Sequence, residues 1–192
     1  MAATSRRVAS RRRILDAAAA AFRAHGYAAT GVDAVMAAAG LTHGGFYAHF
    51  ASKRELLVAT IDHAAGNPLF ARVADLHGAD FVATAITAYL SRWHCDHPGD
   101  GCPIPTLGAE LPRLDPCLAA VIGGPVQGLC DRFAAELPGP DSTRNERAQV
   151  LIALLVGGVI TARTLPGDAA DAWLASCRRT AGRIAGLTEE LS

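Results

Sequence analysis

The stretch GLTHGGFYAHFASK, residues 40–53, holds three glycines, two histidines and three aromatic residues in a chain otherwise rich in aliphatic side chains. Paired glycines beside polar groups could form a phosphate-cradling loop or a short helix whose bare backbone approaches a large partner. A phosphate-binding loop should follow a strand and lead through Gly-Lys-Ser or Gly-Lys-Thr into a long helix. No strand-like alternation precedes this stretch and no such sequence follows it. The sequence therefore favours the short helix.

The residues before this stretch predict two helices. The first covers about residues 10–25 and ends at Gly26, because glycine readily adopts the left-handed conformation that closes a helix. Thr30, followed three residues later by Asp33, resembles a capping box. A second, short helix should therefore begin there and end at Gly40.

Two further helix caps bracket the glycine pair. Thr42 can cap a new helix, and Ser52 with Glu55 forms a full capping box for the helix that comes after it. Between these caps, Phe46 and Phe50 are four residues apart, so both should point into a small core. Short capped helices around a glycine-centred turn are the pattern of a helix-turn-helix, which predicts DNA binding.

Charge is distributed unevenly although 18 basic and 18 acidic groups cancel over the whole chain. Residues 1–60 hold eight basic and three acidic groups, or +5, and the other 132 residues hold 10 and 15, or −5. A basic front end is typical of proteins that contact a polyanion. The arginines before Ile14 should add salt-dependent phosphate or minor-groove contacts. Arg11, Arg12 and Arg23 should face solvent or phosphate.

The sequence TGVDAVMAAAGLTHGGFYAHFASKRELL resembles the DNA-binding signature of TetR-type bacterial transcriptional regulators. The resemblance covers roughly residues 10–62. It implies an all-α fold with an N-terminal three-helix helix-turn-helix DNA-binding domain, residues 1–52, and a C-terminal helical effector-binding and dimerisation domain, residues 53–192. The function implied is that of a transcriptional regulator and not an enzyme, namely a repressor released from its operator by a small-molecule effector. The matching positions are Thr30, Ala39, Gly40, Ser52, Lys53 and the YAHF segment at 47–50.

The resemblance also implies which side chains meet DNA. Residues 43–45 would meet base edges in the major groove, while Tyr47 and His49 would contact phosphates or nearby bases. Lys53 would bind a phosphate at the start of its helix, where the helix dipole and the ammonium group act together. Thr30 could instead only cap its helix, and His49 could be a packing residue. The predicted DNA-contacting residues are Thr30, Thr42, His43, Gly44, Gly45, Tyr47, His49 and Lys53.

Beyond residue 63, apolar periodicity predicts further helices, and the resemblance implies that a small molecule binds between them. The helix over 117–137 contains Gly-Gly-Pro at 123–125 and should be kinked or split there. Large aromatic residues on the apolar stripes are candidates for the pocket wall, although most such residues are plain core. The candidate ligand-binding residues are Phe81, Tyr89, Trp93, Cys102, Phe133 and Trp173.

The last two helices, about 143–164 and 168–187, should form the dimer interface. Residues 150–160 are apolar on nearly every side, so this helix should be buried both by its own domain and by a partner subunit. The resemblance implies a four-helix homodimer, with Cys177 at the seam of the last helix. A two-fold dimer would read a near-palindromic operator in double-stranded DNA.

The cysteines leave a second regulatory reading open. Their number, five, argues against a disulfide framework. With Pro103 at a first helical position, Cys102 would be a helix N-cap, where amide dipoles favour the thiolate. The protein could therefore be a thiol-based repressor that senses electrophiles or oxidants, or else a DNA-binding regulator without any effector.

Metal, cofactor and membrane partners are not expected. His94, Cys95, His97 and Cys102 are metal-ligand types, but they lack paired Cys-x-x-Cys units. The longest apolar run, residues 150–160, has eleven residues, fewer than the roughly 18 that a membrane helix needs. No targeting signal is recognised, so the sequence predicts a cytoplasmic location.

Overall fold

A computed structural model of the protein describes residues 2–63 and 68–187. This part of the chain consists of helices and connecting turns and contains no strand, which confirms the all-α class. A 3-10 helix at His43–Ala48, here called the 43–48 helix, and another at Pro98–Asp100 accompany the α-helices. The α-helices are α1 (Ala2–His25), α2 (Val32–Ala38), α3 (Lys53–His63), α4 (Pro68–Ala71), α5 (Gly78–Tyr89), α6 (Arg92–Asp96), α7 (Ile104–Leu114), α8 (Pro116–Glu136), α9 (Asp141–Ala162) and α10 (Gly167–Ala185).

Helices α1, α2 and α3 and the 43–48 helix form what we call the N-terminal unit. Ile14 and Phe22 of α1 are buried, and Phe46 and Phe50 are each only 1% exposed. The last two rings lie 5.9 Å apart. Leu56 of α3 is also buried in this small core. The prediction that both phenylalanines point inward is therefore confirmed.

The cap predicted at Thr30 is wrong. The residue that precedes α2 and acts as its N-cap is Gly31, with no side-chain cap. The Thr30 side chain is buried and turns back, so that its hydroxyl donates to the Gly26 carbonyl at 2.7 Å. Burial beside the end of α1 gives this hydroxyl a nearer acceptor than the first turn of α2 offers it.

The capping box predicted at Ser52 is confirmed. Its hydroxyl oxygen accepts from the Glu55 N–H at 3.1 Å, and the Glu55 carboxylate accepts from the Ala51 N–H at 2.6 Å. Thr42 occupies the N-cap position of the 43–48 helix, but its side chain makes no capping hydrogen bond. The start of α3 is thus fixed by its own sequence.

Helix α1 is longer than predicted from the sequence, and one of its arginines is buried. It begins at Ala2, so the arginine-rich segment is helical and continuous with the rest of α1. Arg23 is only 9% exposed, and its Nε donates to the Gly99 carbonyl at 2.6 Å. The expectation that Arg23 faces solvent or phosphate is therefore wrong, because this side chain joins α1 to the loop before α7.

Helices α4 to α10 form what we call the C-terminal unit. Its longest helices, α8, α9 and α10, pack side by side. Helix α8 continues through Pro125, so the predicted split does not occur. Buried Ile122 and Cys130 on either side of the proline anchor this helix to the core. The boundary between residues 52 and 53 stays a prediction, since Leu56 of α3 belongs to the same continuous core as both units.

Helix α9 buries one side and exposes the other. Leu151 and Leu155 are fully buried, whereas Val150 is 47% and Ile160 is 43% exposed. Among the described residues, α9 is the one helix long and apolar enough to cross a membrane. That is weak evidence, because core helices pass the same test of length and composition. The exposed apolar side needs another explanation.

Candidate nucleic-acid interface and internal cavity

The outer side of the 43–48 helix carries an exposed aromatic residue and a paired histidine. Tyr47 is 66% exposed, and its ring packs edge-on against buried Phe46 with centroids 5.2 Å apart. His43 is also exposed and pairs through Nδ1 with the carboxylate of Asp33 on α2. Both outward side chains are therefore held in place by contacts with the rest of the N-terminal unit.

Internal packing does not explain the glycines of this helix. A Cβ added to Gly44 would meet no atom within 4 Å, and one added to Gly45 would lie in ordinary contact with Met36, 3.6 Å from its Cε. Two adjacent glycines disfavour a regular α-helix, which accounts for the tighter 3-10 form of this six-residue segment. The bare backbone remains available to an external surface that approaches closely.

The arginines of α1 lie beside the C-terminal end of the 43–48 helix. Arg7 donates to the Ala48 carbonyl at 2.9 Å, and the Arg11 guanidinium lies 4.7 Å from the centre of the Phe50 ring. Arg6, Arg12 and Arg13 are exposed on the same helix. The basic segment is thus part of α1 and adds positive charge next to the exposed tyrosine.

His49 lies between these arginines and the core. It is half-buried, and its Nδ1 has no hydrogen-bond partner among the described residues. Burial lowers the pKa of His49, and the nearby charges of Arg7 and Arg11 lower it further. The imidazole is therefore held in its neutral form, and the guanidinium groups supply the positive charge here.

Lys53 begins α3 and is partly engaged within the protein. Its Nζ lies 3.4 Å from the Ala28 carbonyl and 4.4 Å from the centre of the Tyr27 ring. Burial lowers the pKa of Lys53, while the negative charge of Glu110 raises it. A phosphate at this position would meet an ammonium group that is already oriented.

Thr30 does not belong with the other predicted DNA contacts. Only 4% of this residue is exposed, and its hydroxyl is bonded to the end of α1. The prediction that it donates to a phosphate is therefore not supported. Thr42, at the start of the 43–48 helix, is exposed and remains on the outward side.

An apolar cavity of about 260 Å³ lies between α4, α5 and α8. Three predicted ligand-binding residues, Phe81, Tyr89 and Phe133, contribute to its wall. The Phe81 and Phe133 rings meet edge-on at 5.3 Å, and the Arg132 guanidinium covers Phe81 at 4.6 Å. Small or aliphatic residues that the aromatic pattern does not reveal complete the wall, namely Leu69, Ala71, Val73, Ala74, Ala85, Ala88 and Leu129.

The two tryptophans predicted for the pocket lie elsewhere. Trp93 is 37% exposed and stacks on His97 with centroids 5.1 Å apart. Trp173 is 41% exposed on α10, and its indole N–H donates to the Gly158 carbonyl at 3.2 Å. Neither side chain lines the cavity, because each lies on the outside of the C-terminal unit.

Cys102 does not line the cavity either, and its environment is the opposite of the one expected. Pro103 is the N-cap of α7, and Cys102 precedes it, only 1% exposed. Burial raises the pKa of the Cys102 thiol to about 11, although bonds from Tyr89 and the Ile104 N–H act to lower it. The predicted stabilisation of a thiolate is therefore wrong for this residue.

His94 connects this cysteine to the cavity wall. Its Nδ1 is bonded to the Tyr89 carbonyl at 2.7 Å, and its Nε2 accepts from the Cys102 N–H at 3.0 Å. Burial lowers the pKa of His94 to about 4. With both ring nitrogens engaged, this histidine acts as a structural bridge. No group of three or more metal-ligand side chains occurs within residues 2–63 and 68–187.

Cys177 does not lie on an outer seam of α10. It is 7% exposed, and its sulfur would be 3.3 Å from a Cβ on Gly158. The prediction that this cysteine marks the dimer seam is therefore wrong, because it packs inside its own protomer against α9.

Comparison with known proteins locates a family match in the N-terminal unit. Residues 14–60 match the family of bacterial regulatory proteins called tetR. No curated protein matches the sequence significantly.

Solved structures share the fold over nearly the whole chain. A TetR-family regulator from Streptomyces coelicolor is 20% identical, with a TM-score of 0.72, over 95% of this chain and 97% of its own. Reduced NemR from E. coli is 18% identical, with a TM-score of 0.73, over 91% and 96%. The multidrug binding protein EbrR complexed with proflavin is 25% identical, with a TM-score of 0.57, over 91% and 99%. With its helix-turn-helix, exposed basic surface and family match, the N-terminal unit is a DNA-binding domain of the tetR family of bacterial regulatory proteins, and the chain as a whole shares the fold of the TetR-family regulators.

Proposed function

We propose that the protein is a dimeric repressor that binds a near-palindromic operator and leaves it when a small apolar effector occupies the cavity. The observation that carries this proposal is the outward side of the 43–48 helix. It presents an exposed tyrosine, a paired histidine and an unobstructed glycine backbone beside the arginines of α1. These groups suit a major groove and its flanking phosphates.

Each outward residue has a proposed part in binding the operator. His43, Gly44 and Gly45 lie against base edges, and Tyr47 reaches a phosphate or nearby base. Lys53 binds a phosphate at the N-terminus of α3, where the helix dipole adds to its charge. Thr42 and His49 flank this contact, His49 as a neutral donor or acceptor. The arginines of α1 add phosphate contacts that weaken with salt.

The dimer interface is proposed for the exposed sides of α9 and α10. Val150, Ala153, Gly157 and Ile160 are exposed at successive intervals of three, four and three residues, which places them on one side of α9. Trp173 adds an exposed aromatic ring on neighbouring α10. A second copy related by a two-fold axis would cover this stripe with the same stripe of its own. The exposed glycine allows the two helices to cross closely.

The effector is proposed to be small, apolar and aromatic. The cavity is just below the usual range of ligand pockets, roughly 300–1,000 Å³, and aromatic edges form part of its wall. EbrR has been solved with proflavin, whose aromatic ring system supports an aromatic ligand here. Repression would end if the ligand and the operator favour different packings of the helices.

Thiol sensing through Cys102 is not proposed. A buried thiol with a raised pKa forms little thiolate, and the likeness to reduced NemR concerns the fold. A regulator without an effector remains the alternative outcome of the ligand experiment. An operator-binding repressor acts where the DNA is, so we propose that it is cytoplasmic.

The DNA-binding part is tested by selecting genomic fragments with the purified protein and sequencing them. The expected result is a near-palindromic motif. The affinity of Tyr47→Ala for this motif should be about tenfold lower than that of wild type, which is the scale of one lost contact. Val58→Ala, a change at another exposed apolar residue of the N-terminal unit, should keep the affinity. Recovery of no enriched motif at low salt would refute operator binding.

Repression and effector release are tested with a reporter under the selected promoter. Expression should be low with the protein present and should rise when an aromatic compound that increases its melting temperature is added. Higher reporter expression with the protein than without it would overturn the proposal that the protein is a repressor. A compound that binds without changing operator affinity would remove the effector from the proposal.

A further inference from the structure

We propose that Glu110 is a positioning residue for DNA binding. Its carboxylate clamps the turn after α1 to α7 and so fixes the orientation of the 43–48 helix, here also called the reading helix, relative to the C-terminal unit. This inference rests on the proposed dimeric binding to a two-half-site operator. The turn, here called the 26–28 turn, consists of Gly26, Tyr27 and Ala28.

Both oxygens of the Glu110 carboxylate bind the 26–28 turn. One accepts from the Tyr27 N–H and the other from the Ala28 N–H, each at 2.8 Å. A hydrogen bond from an N–H group to a charged carboxylate is stronger than one between two neutral groups. The partners are 82 and 83 residues apart in sequence, so this contact joins two separate parts of the fold.

The geometry of Gly26 shows how closely the carboxylate approaches. Gly26 has φ +86°, a left-handed conformation, and a Cβ there would lie 2.7 Å from Glu110 Oε2. The left-handed backbone conformation therefore favours glycine, and a Cβ at this position would push the Glu110 carboxylate away from the turn.

The clamped turn is joined directly to Lys53, a proposed phosphate contact. The Ala28 N–H binds Glu110, while the Ala28 carbonyl lies 3.4 Å from the Lys53 ammonium nitrogen. Tyr27 places its ring 4.4 Å from the same ammonium. The negative charge of Glu110 raises the pKa of Lys53 against the effect of burial. A displacement of Glu110 would therefore move the turn and alter the surroundings of Lys53 together.

A second contact on the same side of α7 makes the attachment directional. Thr106, one helical turn before Glu110, donates through its hydroxyl to the Arg23 carbonyl at 2.7 Å. Two attachment points four residues apart align the end of α1 along α7, whereas one point would allow rotation. Two further polar contacts lie nearby. Arg23 donates to the Gly99 carbonyl at 2.6 Å ahead of α7, and the Arg54–Asp115 ion pair at 3.0 Å is half-exposed and contributes less.

Helix α7 is also joined to the cavity wall. His94 bonds to the Tyr89 carbonyl and to the Cys102 N–H, two residues before α7 begins. The chain of contacts runs from Tyr89 through His94 and the start of α7 to Glu110. Glu110, with Thr106 one turn before it, thus connects the position of α7 to the N-terminal unit.

The first experiment measures orientation without DNA. Ala34→Cys on exposed α2 and the native, exposed Cys117 at the start of α8 receive spin labels, since the other four cysteines are buried. Labelled protein is diluted with unlabelled protein so that only distances within one chain are recorded. The width of the distance distribution should at least double in Glu110→Ala and increase less in Glu110→Gln, which keeps one acceptor oxygen.

Glu136→Ala is the matched control. The Glu136 carboxylate also accepts from a backbone N–H, that of Gly78 at 2.6 Å, but both residues lie in the C-terminal unit. Its loss should lower the melting temperature without broadening the distribution. An unchanged width in folded Glu110→Ala, with folding checked by circular dichroism, would overturn the clamp.

The second experiment measures the consequence for operator binding. Half-site spacing is changed by one or two base pairs at fixed salt, which rotates and shifts the half-sites. When the spacing changes by one base pair, wild type and Glu136→Ala should lose about tenfold in operator affinity, because two rigidly held reading helices fit only one spacing. Glu110→Ala should lose less than about threefold, because its reading helices can adjust. A wild-type spacing profile in Glu110→Ala would overturn the positioning role even if the distances broaden.

The two experiments separate this inference from the function on which it rests. If the wild-type protein selects no operator with paired half-sites, the proposed function fails, and the clamp is then decided by the distance distribution alone.

Discussion

The N-terminal unit and the C-terminal unit place their binding groups in opposite ways. The first exposes an aromatic ring, a histidine and several arginines on its surface, most of them within one short stretch and the helix beside it. The second encloses a cavity whose wall comes from segments more than 60 residues apart, between Leu69 and Phe133. A polyanion is bound by charges that reach outward, whereas an apolar ligand requires surface removed from water.

The two units also differ in whether their exposed surface requires a partner. The arginines of α1 are exposed to solvent, where their charges are hydrated. The apolar stripe of α9 is exposed in one protomer and would be covered in a dimer. Four experiments test these differences.

The first experiment tests whether the exposed apolar side of α9 forms the dimer interface. Gly157→Arg places a charge in the proposed dimer seam, where desolvation without a partner costs about 4 kcal/mol, or roughly a thousandfold in the dimer dissociation constant. Sedimentation equilibrium should then show monomers.

Gly128→Arg makes the same change at an exposed, uncontacted glycine of α8 and should leave the dimer intact. A Gly157→Arg protein that remains dimeric would move the interface away from this side of α9.

The second test concerns the bridge between the cavity wall and α7. The pKa of His94 is lowered from 6.5 to about 4 in the folded protein, so between these pH values the unfolded chain binds the extra proton. Stability should therefore fall by about 3 kcal/mol as the pH drops from 6.5 to 4. Urea unfolding at pH 7, 5 and 4 measures this loss.

His94→Gln cannot titrate and should lose less stability over the same interval, although it is less stable at pH 7. Parallel pH profiles for His94→Gln and wild type would mean that another group causes the loss.

The third test fills the cavity. Ala85→Phe adds a ring to the wall, so binding of indole, used as a small aromatic probe, should weaken at least about tenfold because the apolar space is occupied. Isothermal titration calorimetry gives the affinity, and operator binding without the probe should be retained.

Ala79→Phe on the exposed side of α5 should bind indole like wild type. Equal probe binding in wild type and Ala85→Phe would show that the ligand site is not this cavity.

The smallest expected effect is at Lys53. Lys53→Ala should reduce the slope of log affinity against log salt by about 0.9 for each half-site, the value for one lost phosphate contact. Titrations of the selected operator at four salt concentrations give the slope. Arg72→Ala removes the same charge outside the N-terminal unit and should keep the wild-type slope. An unaltered slope in Lys53→Ala would remove this residue from the DNA contacts.

Local sequence was a sufficient guide wherever the deciding contacts are close along the chain. Phe46 and Phe50 are one helical turn apart, and Ser52 and Glu55 complete their cap within a few residues. Such contacts depend on helical period and side-chain chemistry, both of which are legible in the sequence. The helix-turn-helix, the all-α class and the outward side of the 43–48 helix were therefore predictable.

Tertiary structure alone decided the properties that depend on distant neighbours. Thr30 turns to the end of α1, Cys102 is buried so that its pKa rises, and Trp173 lies outside the cavity. The two hydrogen bonds of Glu110 span 82 and 83 positions in the sequence, and no local sequence pattern predicts them. Burial and long-range hydrogen bonds arise when the chain folds, so the sequence determined the reading helix, whereas the packing determined the cavity and its connection to that helix.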